Sequence, residues 1–200
     1  MRRPVFFLVA ALGFLFLVGS GPASAATDTP ATNISRIKNI IITPAVFRAW
    51  NAERPPRAVT YDPGMVPVGA AVGVLASRGP RTVVGLAVHG LAPTHTFGAH
   101  VHQKACGASG ADAGPHYQNV SDPTQPSVDP TFANPRNEVW LDLTTDAAGS
   151  AVAFAVVNWD FRPGGAHSVV IHEHATASAA GQAGMAGDRL ACVNVPLSDG

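Results

Sequence analysis

Long apolar runs, cysteine and an excess of either charge are all scarce in this 200-residue chain, and each scarcity excludes something. Basic and acidic residues are equal, thirteen of each, so the basic excess that marks a nucleic-acid binder is missing. A single long apolar run, Val5 to Val18, stands at the N-terminus. Arg2 and Arg3 precede it and Ala23-Ser24-Ala25 follows it, the pattern of a secretory signal over residues 1–25. The run is too short to span a bilayer comfortably, which favours cleavage over a retained anchor. No cysteine stands near the cleavage site, so a lipid-modified cysteine anchor is excluded. No second run long enough to span follows, so the mature chain is expected to have no membrane segment.

Removal of the signal leaves about 175 residues with a net charge of about −2, a length that suits one domain. Cysteine occurs only at Cys106 and Cys192. An even count in an exported protein suggests a disulfide. Buried free thiols, or thiolate ligands to a metal, are the alternatives.

Histidine is where the chain is rich, with eight. His100-Val101-His102 matters most, because residues i and i+2 of a strand point to one face and so present two imidazoles together. Further histidines stand in Gly114-Pro115-His116-Tyr117 and in Val169-Val170-Ile171-His172-Glu173. Four neutral imidazoles around one ion suit copper, ahead of zinc, nickel or iron. His89, His95 and His167 read as ordinary surface or packed residues.

Residues 26–57 read as an N-terminal extension or linker, with Thr27-Asp28-Thr29-Pro30 and Arg54-Pro55-Pro56-Arg57 as its loop-like parts. Within it, Ile37 to Trp50 is open between helix, strand and irregular packing. From residue 58 the text is β-rich. Strands are expected at Val68–Ser77, Thr82–Val88, Thr96–Gln103, Glu138–Thr144, Ala151–Trp159, Ser168–Glu173 and Arg189–Val195. A long loop, residues 104–136, holds Cys106 and His116. Short strands at roughly ten-residue spacing indicate an all-β sandwich or barrel.

Four stretches in order carry a family likeness: Gly98-Ala99-His100-Val101-His102, Ala113-Gly114-Pro115-His116-Tyr117, Val169-Val170-Ile171-His172-Glu173 and Ala186-Gly187-Asp188-Arg189-Leu190-Ala191-Cys192. Over roughly residues 66–195 the chain resembles the copper/zinc superoxide dismutases. The resemblance implies a Greek-key β-barrel, immunoglobulin-like in its sandwich, and a disulfide between Cys106 and Cys192 closing about 87 residues. On the chain-entropy view such a loop adds roughly 4–5 kcal/mol. It also implies copper ligands at His100, His102, His116 and His172, and an active-site arginine at Arg189. His174 rivals His172 as ligand, and the Val-Val-Ile-His-Glu motif favours His172.

The implied reaction disproportionates superoxide into oxygen and hydrogen peroxide, with Arg189 attracting the anion and His116 handling a proton. The sequence departs from the family beyond His116. No histidine follows before His167, so the nitrogen donors of a zinc site are missing, and copper without zinc is expected. Thr176 stands about where the family has an acid linking the two metals. Glu138 is the candidate for holding His116 by a hydrogen bond, against the plainer reading of a solvent-facing strand residue. Residues 175–187 carry no charge, so steering of superoxide would rest mainly on Arg189 and the metal.

Two other functions compete: a copper-holding protein on the same fold without turnover, and a ligand-free relative such as a chaperone's dismutase-like domain. The second is disfavoured, since no copper histidine is lost. Family dimers use varied surfaces, so the resemblance implies no particular oligomer.

Overall fold

The computed structural model describes residues 40–198. The signal segment and residues 26–39 lie outside the described residues. Nine strands follow: β1 (Ile40–Arg48), β2 (Ala58–Thr60), β3 (Ala71–Ser77), β4 (Thr82–His89), β5 (Thr96–His102), β6 (Leu143–Thr144), β7 (Ala151–Val157), β8 (Ser168–His172) and β9 (Arg189–Asn194). One 3-10 turn, Gly110–Ala113, lies between β5 and β6. No helix among the described residues is long and apolar enough to cross a membrane.

The strands join in the order β6-β5-β8-β9-β2-β1-β3-β4-β7, and the end strands β6 and β7 approach each other, so the sheet nearly closes into a barrel. One half is the antiparallel set β1, β3, β4 and β7. The other is β5, β8, β9 and β2, also antiparallel. A short parallel step, Phe47 beside Ala58 and Arg48 beside Val59, links the halves. β4 pairs with β7 although β5 and β6 of the other half intervene in sequence, and β5 pairs with β8 in the same crossed manner, which is the Greek-key relation.

Alternation explains which residues fill the barrel. Phe97, Ala99 and Val101 of β5 and Val169 and Ile171 of β8 enter the core with Phe47, Leu86 and Leu141, all buried. Each large side chain so buried contributes about 1.5–3 kcal/mol. His100 and His102 therefore take the opposite face of β5, away from the core. They are nonetheless fully buried, because loops cover that face.

The expected extension needs correction. Residues 40–48 form β1, which pairs with β3 along seven residues and so belongs to the barrel ahead of residue 58. Pro44 interrupts the pattern that would have announced a strand. It falls where β1 is paired on one side only, the place a residue without an N–H tolerates. The strand expected at Glu138–Thr144 is shortened to Leu143–Thr144, with an isolated bridge between Trp140 and His100 ahead of it. The remaining expected strands stand within a few residues of their observed ends.

Candidate metal centre

Strand register sets the first part of the site. Gly98 of β5 lies opposite His172 of β8, so His172 shares a face with His100 and His102, two and four residues along from Gly98. His116 arrives from the long loop, which returns along β5: Gln103 N–H donates to the Pro115 carbonyl at 3.1 Å and Tyr117 N–H to the Val101 carbonyl at 2.8 Å. The result is a group of four histidines, each offering one ring nitrogen, with those atoms within 4.8 Å of one another. Ring centroids of His100 and His116 stand 4.0 Å apart, and those of His102 and His172 5.5 Å. Among the described residues this is the one group of three or more histidine, cysteine, aspartate or glutamate side chains placed to hold a metal ion.

Partners outside the group fix the protons on three of these rings. His102 donates Nδ1–H to the Gly114 carbonyl at 2.9 Å, which leaves Nε2 with a lone pair. His116 donates Nδ1–H to Glu138 Oε2 at 2.9 Å, which likewise frees Nε2. For His100 the deduction passes through Thr176. Thr176 Oγ1 donates its one proton to Asp142 Oδ1 at 2.6 Å, while Thr176 N–H donates to Asp142 Oδ2 at 2.7 Å. The Thr176 oxygen can then only accept from His100 Nε2–H, 2.7 Å away, and the lone pair of His100 rests on Nδ1. That Nδ1 is buried without any hydrogen-bond partner, as is Nδ1 of His172. Nε2 of His102 faces Nε2 of His172 at 3.3 Å. Converging lone pairs and orphaned buried nitrogens are what a cation between the rings would satisfy, so the four residues fit a metal ion of the imidazole-binding kind.

Electrostatics point the same way. Burial pushes His100 and His102 well below the usual imidazole range, with the neighbouring His116 and His172 adding to it. Burial first, then His116 and Arg189, lowers His172 to about 3, against a smaller opposing effect of the Gly187 backbone. Neutral imidazoles are the form that ligates.

Glu138 is only 1 % exposed, so it is not a solvent-facing strand residue. Its Oε2 accepts from His116 and, at 2.7 Å, from Trp140 Nε1–H, and its Oε1 accepts from Gln118 Nε2–H at 2.8 Å. Gln118 in turn accepts from Asp122 N–H at 2.9 Å, and Asn137 bonds to both Val120 and Phe132, so the long loop is held by buried amides.

Cys106 and Cys192 form a disulfide, as the resemblance implied, and its presence fits an oxidising compartment. It ties the loop after β5 to β9, and that places two useful carbonyls. One is Gly114, which orients His102. The other is Gly110, which accepts from Arg189 Nη1–H at 2.9 Å. A Cβ on Gly110 would come within 2.6 Å of Arg189 Cβ, so the bare backbone is what lets the arginine lie there. Arg189 is the register partner of His172, at a bulge in the β8–β9 ladder. Arg189, His116, His172 and Glu138 line one cleft of 410 Å³, floored by residues 184–188 and walled by 125–128.

His174 stands outside the histidine group, with Nε2 3.4 Å from Glu173 Oε2. His89 and His95 bond to Ser150 Oγ and to the Glu173 carbonyl, and His167 to the Gly164 carbonyl. Thr176 was singled out by position, but its pairing with Asp142, and the parts played by Trp140 and Gln118, were not legible in the sequence. Asp142 and Thr176 are 34 positions apart, and no spacing rule joins them.

The chain matches no protein-family model and no curated protein. Among solved structures it is similar to a double mutant of a SOD-like protein from Bacillus subtilis, with 19% identity, 66% of this chain and 92% of that chain covered, and a TM-score of 0.49. The SOD-like protein from Bacillus subtilis without those mutations gives 17% identity, 62% and 89% coverage and 0.40. The clock protein EA4 gives 18% identity, 64% and 87% coverage and 0.48.

Proposed function

We propose that this chain is an exported, copper-only superoxide dismutase. One observation carries the reading: four histidines converge with one ring nitrogen each, and two of them, His116 and His172, open on a cleft that also holds an anchored guanidinium. Copper held there would supply the one-electron chemistry, taking an electron from one superoxide and returning it to a second, to give oxygen and, with two protons, hydrogen peroxide.

The chain's own residues do the rest. Arg189 offers a small anion a fixed positive charge and hydrogen-bond donors beside His172, with the Gly110 carbonyl preventing the guanidinium from swinging away. His116 keeps Nδ1–H on Glu138, so any proton it carries to the departing peroxide sits on Nε2, the atom that would otherwise hold the metal, and is bound only while that nitrogen is not ligating. Burial of His100, His102 and His172 keeps those rings neutral and oriented.

Zinc has no place in this reading. Both oxygens of Glu138 already accept hydrogen bonds from three donors, and the loop that follows His116 is fastened by Gln118 and Asn137. The disulfide supports export, since such bonds persist in oxidising compartments.

Copper holding without turnover needs the histidines alone, whereas Arg189 adds to the same cleft a positive charge that an entering anion would use. The test is superoxide removal by the copper-loaded protein, alongside Arg189→Ala. Fast removal that drops by roughly tenfold in the variant at low superoxide is expected. Absence of removal by the copper-loaded wild type would leave copper holding as the function, and an unchanged variant would strip Arg189 of its role.

A further inference from the structure

The half-barrel β1-β3-β4-β7 is apolar on both of its faces. Outward positions of β7 are Val152, Phe154 and Val156, while its inward positions are Ala151, Ala153 and Ala155. More hydrophobic bulk therefore points out than in. The inward side of β7 also includes Val157 at its end, which lies in the core. On β1 the outward residues are Ile40, Ile42, Pro44 and Val46. Pairing aligns these in rows: Ile42, Leu75, Gly85 and Phe154 form one, and Pro44, Gly73, Ala87 and Val152 the next. No outward position in the paired rows is Asp, Glu, Lys or Arg, and Arg48 stands at the border.

An antiparallel sheet with one wet face alternates apolar-in and polar-out, and strands apolar on both sides are those buried on both sides. The outer face over β5 and β8 obeys this, because loops cover its histidines. Over β1-β3-β4-β7, Ile42 remains 70 % exposed, Phe154 66 % and Val152 61 %.

We propose that this face is the interface with a second copy of the chain. An apolar face without charge fits a partner that is equally apolar and uncharged, and this face is itself such a surface. It also carries both a projection and a hollow. The Phe154 ring lies across Gly85, where an added Cβ would come within 2.6 Å of it, whereas Gly73 has open space above its backbone. A hollow of 270 Å³ spans Gly73, Gly85 and Leu75. A twofold axis lying in the plane between two facing sheets sets Phe154 of each copy towards the Gly73 hollow of the other, an isologous contact of the sheet-on-sheet kind. The exposed branched and aromatic side chains, at roughly 100 Å² apiece, approach the ~800 Å² per partner of a standard interface. This inference is independent of the metal chemistry, since the face belongs to the half-barrel that carries no histidine of the site.

Sedimentation equilibrium of the purified protein between about 1 and 100 μM tests it, with Phe154→Glu and Leu75→Lys as variants. A wild-type dimer is expected, with each substitution raising its dissociation constant at least ~100-fold while the far-UV spectrum and the disulfide are unchanged. A wild-type monomer across that range overturns the proposal, whether the face is then bare, bound to phosphatidylcholine vesicles or covered by residues 26–39. A dimer indifferent to both substitutions overturns it as well.

Discussion

Thr176 stands between His100 and solvent as a one-way hydrogen bond: its hydroxyl accepts from His100 Nε2 at 2.7 Å because its own proton is committed to Asp142. Tautomer and ring orientation of the buried His100 are thereby set by a residue of an uncharged loop and a carboxylate just ahead of β6. Gly98 makes the arrangement sterically possible, since a Cβ there would come within 3.1 Å of Thr176 Oγ1 and 2.6 Å of the His174 carbonyl.

Thr176→Val keeps the shape and removes both bonds. The expected result is a loss of copper affinity of about 10-fold or more, in the range such outer partners carry, with recovery in Thr176→Ser. Competition against a chelator of known affinity measures it. Equal affinity in the valine variant would contradict the role given to Thr176.

Glu138→Gln tests the carboxylate under His116. The amide group can accept at only one of the two places where Glu138 now accepts from three donors, so a buried N–H is left opposite another N–H. A loss of about 1–3 kcal/mol in stability of the metal-free protein is expected, with copper affinity falling as well. Denaturant titration with the disulfide intact gives the first number.

Much of this was legible beforehand. The His-x-His pair needed only the two-residue period of a strand, and the strands around it needed only alternation and turns. β1 was not legible, because Pro44 argues against a strand unless the reader knows that one of its edges is unpaired. Glu138 was visible as a candidate, yet its burial depends on Trp140 and Gln118 closing over it, which is a tertiary fact. The Thr176–Asp142 pair was invisible for the same reason.

Acid should weaken the metal-free fold. His100, His102 and His172 have pKa values depressed by burial, His172 to about 3, whereas unfolded imidazoles take up protons near 6.5. Between those limits the unfolded chain binds more protons, so stability rises with pH and is lost as pH falls from about 6.5 towards 3. Each ring fully withheld contributes a slope of about 1.4 kcal/mol per pH unit. Urea unfolding at several pH values across that window reads the slope, and a flat profile would contradict neutral burial of the three rings.

Reduction of the Cys106–Cys192 bond acts at two levels. It opens a loop whose ends are 86 positions apart, for which about 4–5 kcal/mol of stability is at stake. It also frees the segment whose Gly110 carbonyl holds Arg189. Superoxide removal should therefore decline in the reduced protein under conditions where its circular dichroism still reports a folded barrel. Full activity after reduction would show that Arg189 is held by other means.

The most direct measurement is a metal count on protein purified without added metal and then equilibrated with copper and zinc together. One copper and no zinc per chain is predicted, with copper lost in His100→Ala and in His116→Ala but retained in His174→Ala. One zinc beside each copper, or copper that survives the loss of His100, would contradict a single copper ion shared by His100, His102, His116 and His172.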